Sequence, residues 1–95
     1  MSPERIFVID DNPNDILLMR RLLERAGYSV DSATSGEEAL IRLAADPPHC
    51  VMVDFRMPGM DGYQVCRSIK LDAALQNIPV LMLTGADSTR NLVEG

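Results

Sequence analysis

Ninety-five residues, 46% of them apolar and 24% charged, describe one ordinary globular domain. A chain this size buries roughly two-thirds of its unfolded surface, which supports one core but not two. Nine basic against fourteen acidic side chains leave a net charge of -5, which disfavours direct contact with a nucleic-acid backbone. No apolar run approaches the roughly 18 residues of a membrane helix.

The start, Met1-Ser2-Pro3-Glu4-Arg5, does not read as a signal peptide. Two cysteines, Cys50 and Cys66, form no CxxC and are too few for a disulfide framework. They are expected to be buried free thiols in a reducing compartment, which points to the cytoplasm.

The first apolar run, Ile6-Phe7-Val8-Ile9, is strand-length and almost wholly apolar, as suits a strand buried on both faces. Asn12-Pro13 then offers an N-cap with proline in the first turn. Ile16, Met19, Leu22, Leu23 and Ala26 follow at helical spacing, and Gly27 is placed to end that helix in the left-handed conformation. Arg20, Arg21, Glu24 and Arg25 are expected on its solvated side, with partner binding as the lesser reading.

Tyr28–Ala33 alternates apolar with polar, the pattern of an edge strand with one wetter face. Ser35-Gly36-Glu37-Glu38 reads as a capping box. Ala39, Leu40 and Leu43 form the inner face of that second helix, which Asp46-Pro47-Pro48 stops. Cys50-Val51-Met52-Val53 is the third strand. A third helix begins near Asp61-Gly62, with Gln64 three residues after a capping Asp61 and an inner face of Val65, Cys66 and Ile69. Val80-Leu81-Met82-Leu83 is the fourth strand, and Asp87 is placed to cap a helix from Ser88.

The alternation of strand and helix implies an α/β fold with a parallel sheet and right-handed crossovers. Residues 1–95 read as one domain, without repeats or linkers.

In a parallel sheet every C-terminal strand end lies on one edge, and ligands bind there at the switch point of strand order. Asp10-Asp11 follow the first strand, Asp54 the third and Thr84 the fourth, so three carboxylates and a hydroxyl should converge. Two carboxylates about 5 Å apart repel by roughly 3 kcal/mol at an effective dielectric of 20. A raised pKa or a bound cation must offset that cost. All-oxygen ligation suits Mg²⁺. The lone His49, before the third strand, belongs to the opposite edge and is expected at the surface. An aspartate beside a cation can also accept a phosphoryl group as an acyl phosphate. Asp54, ending the central strand, is the nucleophile candidate, with Asp10 and Asp11 as metal ligands and Thr84 as donor to a phosphoryl oxygen.

The acidic pair Asp10-Asp11, the run Val53-Asp54-Phe55-Arg56-Met57-Pro58-Gly59-Met60-Asp61-Gly62 and Leu83-Thr84-Gly85, at these spacings, resemble the receiver domain of two-component response regulators. The resemblance covers Arg5 to Gly95. It implies a flavodoxin-like doubly wound sheet and phosphoryl transfer to Asp54 from a phosphohistidine on a sensor histidine kinase or phosphotransfer protein. It also implies Mg²⁺ held by Asp11, Asp54 and the backbone carbonyl of Arg56, with Asp10 helping directly or through water. Thr84 would be the switch hydroxyl and Gly85 would keep the pocket open.

Receivers carry a lysine at the end of a fifth strand and an aromatic switch residue within it. Neither falls inside this sequence, whose single lysine, Lys70, is expected on the solvated surface late in the third helix. The domain is therefore read as C-terminally incomplete, with strand order 2-1-3-4, the fifth strand missing and the fourth left as an apolar edge. Such an edge recruits other chains, so self-association through the fourth strand and helix is expected.

Two other functions stand beside the phosphoacceptor. One is a pseudo-receiver that binds partners without phosphorylation, against which the intact Asp10, Asp11, Asp54 and Thr84 argue. The other is an aspartate-nucleophile phosphatase, which carries an acid two residues after the nucleophile, where this chain has Arg56. Met57 and Met60 are expected to be packing residues.

Overall fold

The computed structural model describes residues 4–57, 59–83 and 93–94. The elements run β1 (Arg5–Ile9), α1 (Pro13–Arg25), β2 (Ser29–Ala33), α2 (Gly36–Ala45), β3 (Cys50–Asp54), α3 (Gly62–Leu71), β4 (Val80–Leu83) and β5 (Val93–Glu94). Four strands are parallel in the order β2-β1-β3-β4. β2 is the edge strand its alternating sequence indicates.

Beyond β4 the expectation of a bare edge is corrected. Val93–Glu94 pair antiparallel with Met82 and Leu81. A free row of N–H and C=O groups is a template that the chain itself can fill. The helix expected from Ser88 falls largely outside the described residues, and at its far end the backbone is this short strand instead.

The helix ends follow local chemistry. Asn12 caps α1 by accepting the Asn14 N–H at 2.9 Å, with Pro13 in the first turn. At the other end Gly27 takes φ 102°. Its N–H donates to the Glu24 carbonyl at 3.0 Å and the Tyr28 N–H to that of Leu23 at 3.1 Å, a Schellman closure. Ser35 caps α2 by accepting the Glu38 N–H at 3.2 Å, while the Glu38 carboxylate accepts from Thr34 N–H, one residue outside the expected box. The Asp61–Gln64 box of α3 is complete, with bonds of 2.9 and 3.0 Å.

Side-chain alternation along the strands divides the core. Phe7, Ile9, Val51 and Val53 face α2 and α3, where Leu43, Val65 and Ile69 are fully buried. Ile6 and Val8 face α1, where Ile16 is buried and Met19 and Leu23 pack alongside. Leu22 and Ala26, which share the helical spacing of Ile16, Met19 and Leu23, are exposed. α1 rests on β1 and β2, so only the part of its apolar stripe above those strands is covered. An apolar groove of about 480 Å³ remains beside it, lined by Ile6, Leu23, Tyr28, Cys50, Met52 and Leu81.

Several surface expectations are refined. Arg20 is not simply solvated: its guanidinium donates to the Val30 carbonyl at 2.9 Å, tying α1 to β2. His49 lies exposed at the N-terminal edge of the sheet, and its Nδ1 accepts the Arg5 N–H at 2.8 Å. Lys70 donates to the carbonyls of Gln76 and Ile78 at 3.3 and 3.1 Å and so brackets the loop leading to β4. Cys66 is a buried free thiol as expected, whereas Cys50 is only half-buried. Met57 is buried in the core and Met60 packs against it.

Candidate phosphoacceptor site

The site forms where the strand order reverses. From β1 the chain crosses to β2 on one side and later to β3 on the other, so the C-terminal ends of β1 and β3 flank a crevice. Asp10 follows β1 directly, and its N–H donates to the Ala33 carbonyl of β2 at 3.2 Å. Asp54 is the last residue of β3 and stands in register with Leu83 of β4. The next N–H, that of Phe55, donates to the Leu83 carbonyl at 2.6 Å and fixes the strand end.

This framework brings the three predicted carboxylates together. Asp10, Asp11 and Asp54 each present an oxygen, and these lie within 4.8 Å of one another. Asp11 is exposed and the other two half-buried, so the cluster opens to solvent. Asp10 Oδ1 accepts the Asn12 N–H at 2.9 Å, and Asp54 Oδ1 accepts the Arg56 N–H at 3.4 Å.

The electrostatics carry the mark of crowded acids. Burial pushes the Asp10 carboxyl up to about 6, against the Asn12 hydrogen bond, and the charges of Asp54, Asp15 and Asp11 add to the rise. Burial likewise raises Asp54, against the hydrogen bond from Arg56, with Asp11 and Asp15 adding to it and the Arg56 charge working against it. Such a cluster favours a cation, and an open all-oxygen donor set fits a hard divalent ion that keeps some of its waters. Arg56 stands exposed in the β3–α3 loop. Thr84 and Gly85 lie outside the described residues.

Two contributors escaped the sequence reading. Asp15, in the first turn of α1, adds negative potential at both Asp10 and Asp54. Its place one helical turn past the capping Asn12 was the available signal. Gly62, the first residue of α3, donates its N–H to the Phe55 carbonyl at 3.0 Å. A Cβ there would meet Phe55 Cα at 2.8 Å and lie closer still to the Asp54 carbonyl. The sequence marks Gly62 as the helix start and as the end of the run that carries the resemblance, but not its approach to the Asp54 backbone.

Known proteins resemble the chain in sequence and fold. Residues 6–95 match the family model described as response regulator receiver domain. Response regulator PleD of Caulobacter vibrioides is 37% identical over 91 residues, 96% of this chain and 20% of that protein. Response regulator MprA of Mycolicibacterium vanbaalenii is 41% identical over 93 residues, 98% of this chain and 39% of its own. The chain thus spans between a fifth and two-fifths of these curated relatives. Among solved structures, the N-terminal domain of a response regulator receiver protein from Methanoculleus marisnigri JR1 is 46% identical. It superposes with a TM-score of 0.82 over 85% of this chain and 66% of that one. Chemotaxis protein CheY4 of Vibrio cholerae is 26% identical, with a TM-score of 0.82 over 86% of this chain and 68% of its own. Sequence, sheet order and the clustered acids agree, and the chain belongs to the response regulator receiver domain family.

Proposed function

We propose that the chain is a phosphoacceptor switch in which Asp54 takes a phosphoryl group from a phosphohistidine of a sensor kinase or phosphotransfer protein. The observation that carries this reading is the meeting of the adjacent pair Asp10 and Asp11 with Asp54, distant in sequence, within 4.8 Å at the switch point of the sheet. Asp11, Asp54 and the backbone carbonyl of Arg56 would hold Mg²⁺, with Asp10 helping directly or through water. When bound, the ion neutralises charge on the transferring oxygens. An Asp54 carboxylate oxygen attacks phosphorus, the new O–P bond forms as the P–N bond breaks, and the departing imidazole nitrogen keeps the electron pair and takes a proton. Thr84, next after β4 in the sequence, donates its hydroxyl to a phosphoryl oxygen.

The domain is a signalling module whose own catalysis is at most slow self-phosphorylation and autodephosphorylation, and the output is a changed protein-binding surface. No described helix is long and apolar enough to cross a membrane. Two free thiols suit the reducing cytoplasm as the place of action.

Asp54→Asn keeps the side chain's shape and removes the nucleophile. Incubation with a small phosphodonor and Mg²⁺ is expected to label the wild type and not this variant. Asp61→Asn, which preserves a capping oxygen for α3, is expected to label normally. Equal labelling of the Asp54 variant would remove the assignment.

A further inference from the structure

We propose that Gly62 is a positioning residue for the acceptor, which holds Asp54 in place through backbone contact alone. This inference rests on the phosphoacceptor reading of Asp54.

The β3–α3 loop leaves the strand at Asp54, turns through Gly59 at φ 76°, and returns at Asp61, where the capping box of α3 fixes the helix start. Gly62 closes the loop. Its N–H donates to the Phe55 carbonyl at 3.0 Å, and its buried Cα stands against the Asp54–Phe55 peptide. The first turn of α3 therefore rests directly on the backbone of the nucleophile.

That peptide is held from the other side by the bond from the Phe55 N–H to the Leu83 carbonyl at 2.6 Å. A peptide clamped between β4 and α3 has little freedom. Oδ1 of Asp54 also accepts the Arg56 N–H, which belongs to the same loop. Any added carbon at position 62 must push the helix away or move the Asp54 carbonyl, because backbone cannot swing aside as a side chain can. The side chain of Asp54 then moves with its backbone, and Arg56, a proposed carbonyl ligand, moves with the loop. Misplacement of an acceptor by about 1 Å can cost on the order of a hundredfold in rate, and displaced supporting groups typically cost 10- to 100-fold in metal affinity.

Gly36 supplies the control. A Cβ on Gly36 would meet Val65 Cγ2 at 2.6 Å and Met60 Cγ at 3.1 Å, both side-chain atoms. Gly36→Ala thus perturbs packing between α2 and α3 without touching the Asp54 backbone.

The experiment measures Mg²⁺ affinity, the labelling rate at saturating Mg²⁺ and the melting temperature for wild type, Gly62→Ala and Gly36→Ala. The expected result is a Mg²⁺ dissociation constant raised about tenfold and a correspondingly slowed labelling rate in Gly62→Ala. Gly36→Ala is expected to lower the melting temperature and keep both site parameters within about twofold. A folded Gly62→Ala protein with wild-type affinity and rate would overturn the proposal.

Should Gly62→Ala fail to fold, amide exchange in the wild type decides. Mg²⁺ is expected to slow exchange of the Gly62 N–H together with that of Phe55, and an unchanged Gly62 amide would overturn the proposal. A wild type that neither binds Mg²⁺ nor labels would instead defeat the phosphoacceptor reading, so the two failures are distinct.

Discussion

At the scale of single residues, the cost of assembling the site sits on Asp10. Its folded pKa near 6 lies above the unfolded value of 3.8, so between these limits the folded state binds more protons. Metal-free stability therefore declines as pH rises from about 4 to about 6 and the carboxylate is forced to ionise. Asp10→Asn retains the acceptor oxygen for the Asn12 N–H and never ionises. In EDTA it is expected to match the wild type near pH 4 and exceed it at pH 7 by about 1 kcal/mol, after allowance for screening at a partly exposed group. With the proposed Mg²⁺ site, the order is expected to reverse, because a hundredfold excess over the wild-type Kd adds about 2.7 kcal/mol to the wild type and less to a variant that has lost a proposed ligand. Urea midpoints at the two pH values, with and without Mg²⁺, check both signs. An Asp10→Asn protein less stable than wild type at pH 7 in EDTA would contradict the electrostatic account.

At the scale of elements, the chain signals its own boundaries wherever a local rule suffices. Gly27 at φ 102° is one such place. Gly27→Ala is expected to cost about 1 kcal/mol through the left-handed conformation alone, since no atom lies within 4 Å of the new Cβ. Thermal melting measures it, and a neutral result would show that the Schellman turn can relax. The same locality explains what was legible. The strands announce themselves by unbroken apolar runs, and the helix starts by Asn12-Pro13, Ser35 and Asp61. The acid cluster was legible because parallel topology alone brings Asp10, Asp11 and Asp54 to one edge. What escaped is tertiary. Helical periodicity marked Leu22 and Ala26 as apolar without saying how far the covered stripe extends. The Gly62 approach, the turn of Arg20 toward β2 and the Lys70 bracket depend on how a loop folds back onto its flanking element, which no cap or periodicity rule specifies.

At the scale of the whole molecule, the two sheet edges are unequally guarded. β2 carries exposed Ser29 and Asp31, which discourage further pairing. Beyond β4, among the described residues, stand only the two residues of β5, and the groove beside α1 leaves Met52 and Leu81 partly uncovered. A two-residue ribbon contributes few backbone bonds, and another chain can compete for them. The 95-residue chain is therefore expected to self-associate through the β4 side. Light scattering should show apparent mass rising with concentration, and a constant monomer mass would show that β5 is guard enough. The bracket that Lys70 forms on Gln76 and Ile78 has a practical consequence for handling the protein. Lys70 is the single lysine, so apart from the terminal amine it is the one target for acylating dyes and amine-reactive sensor chips. Acylation replaces an ammonium that serves two carbonyls with a bulky neutral amide. A protein immobilised that way reports on a domain whose α3–β4 connection has been cut loose, and capture through either terminus leaves the connection whole.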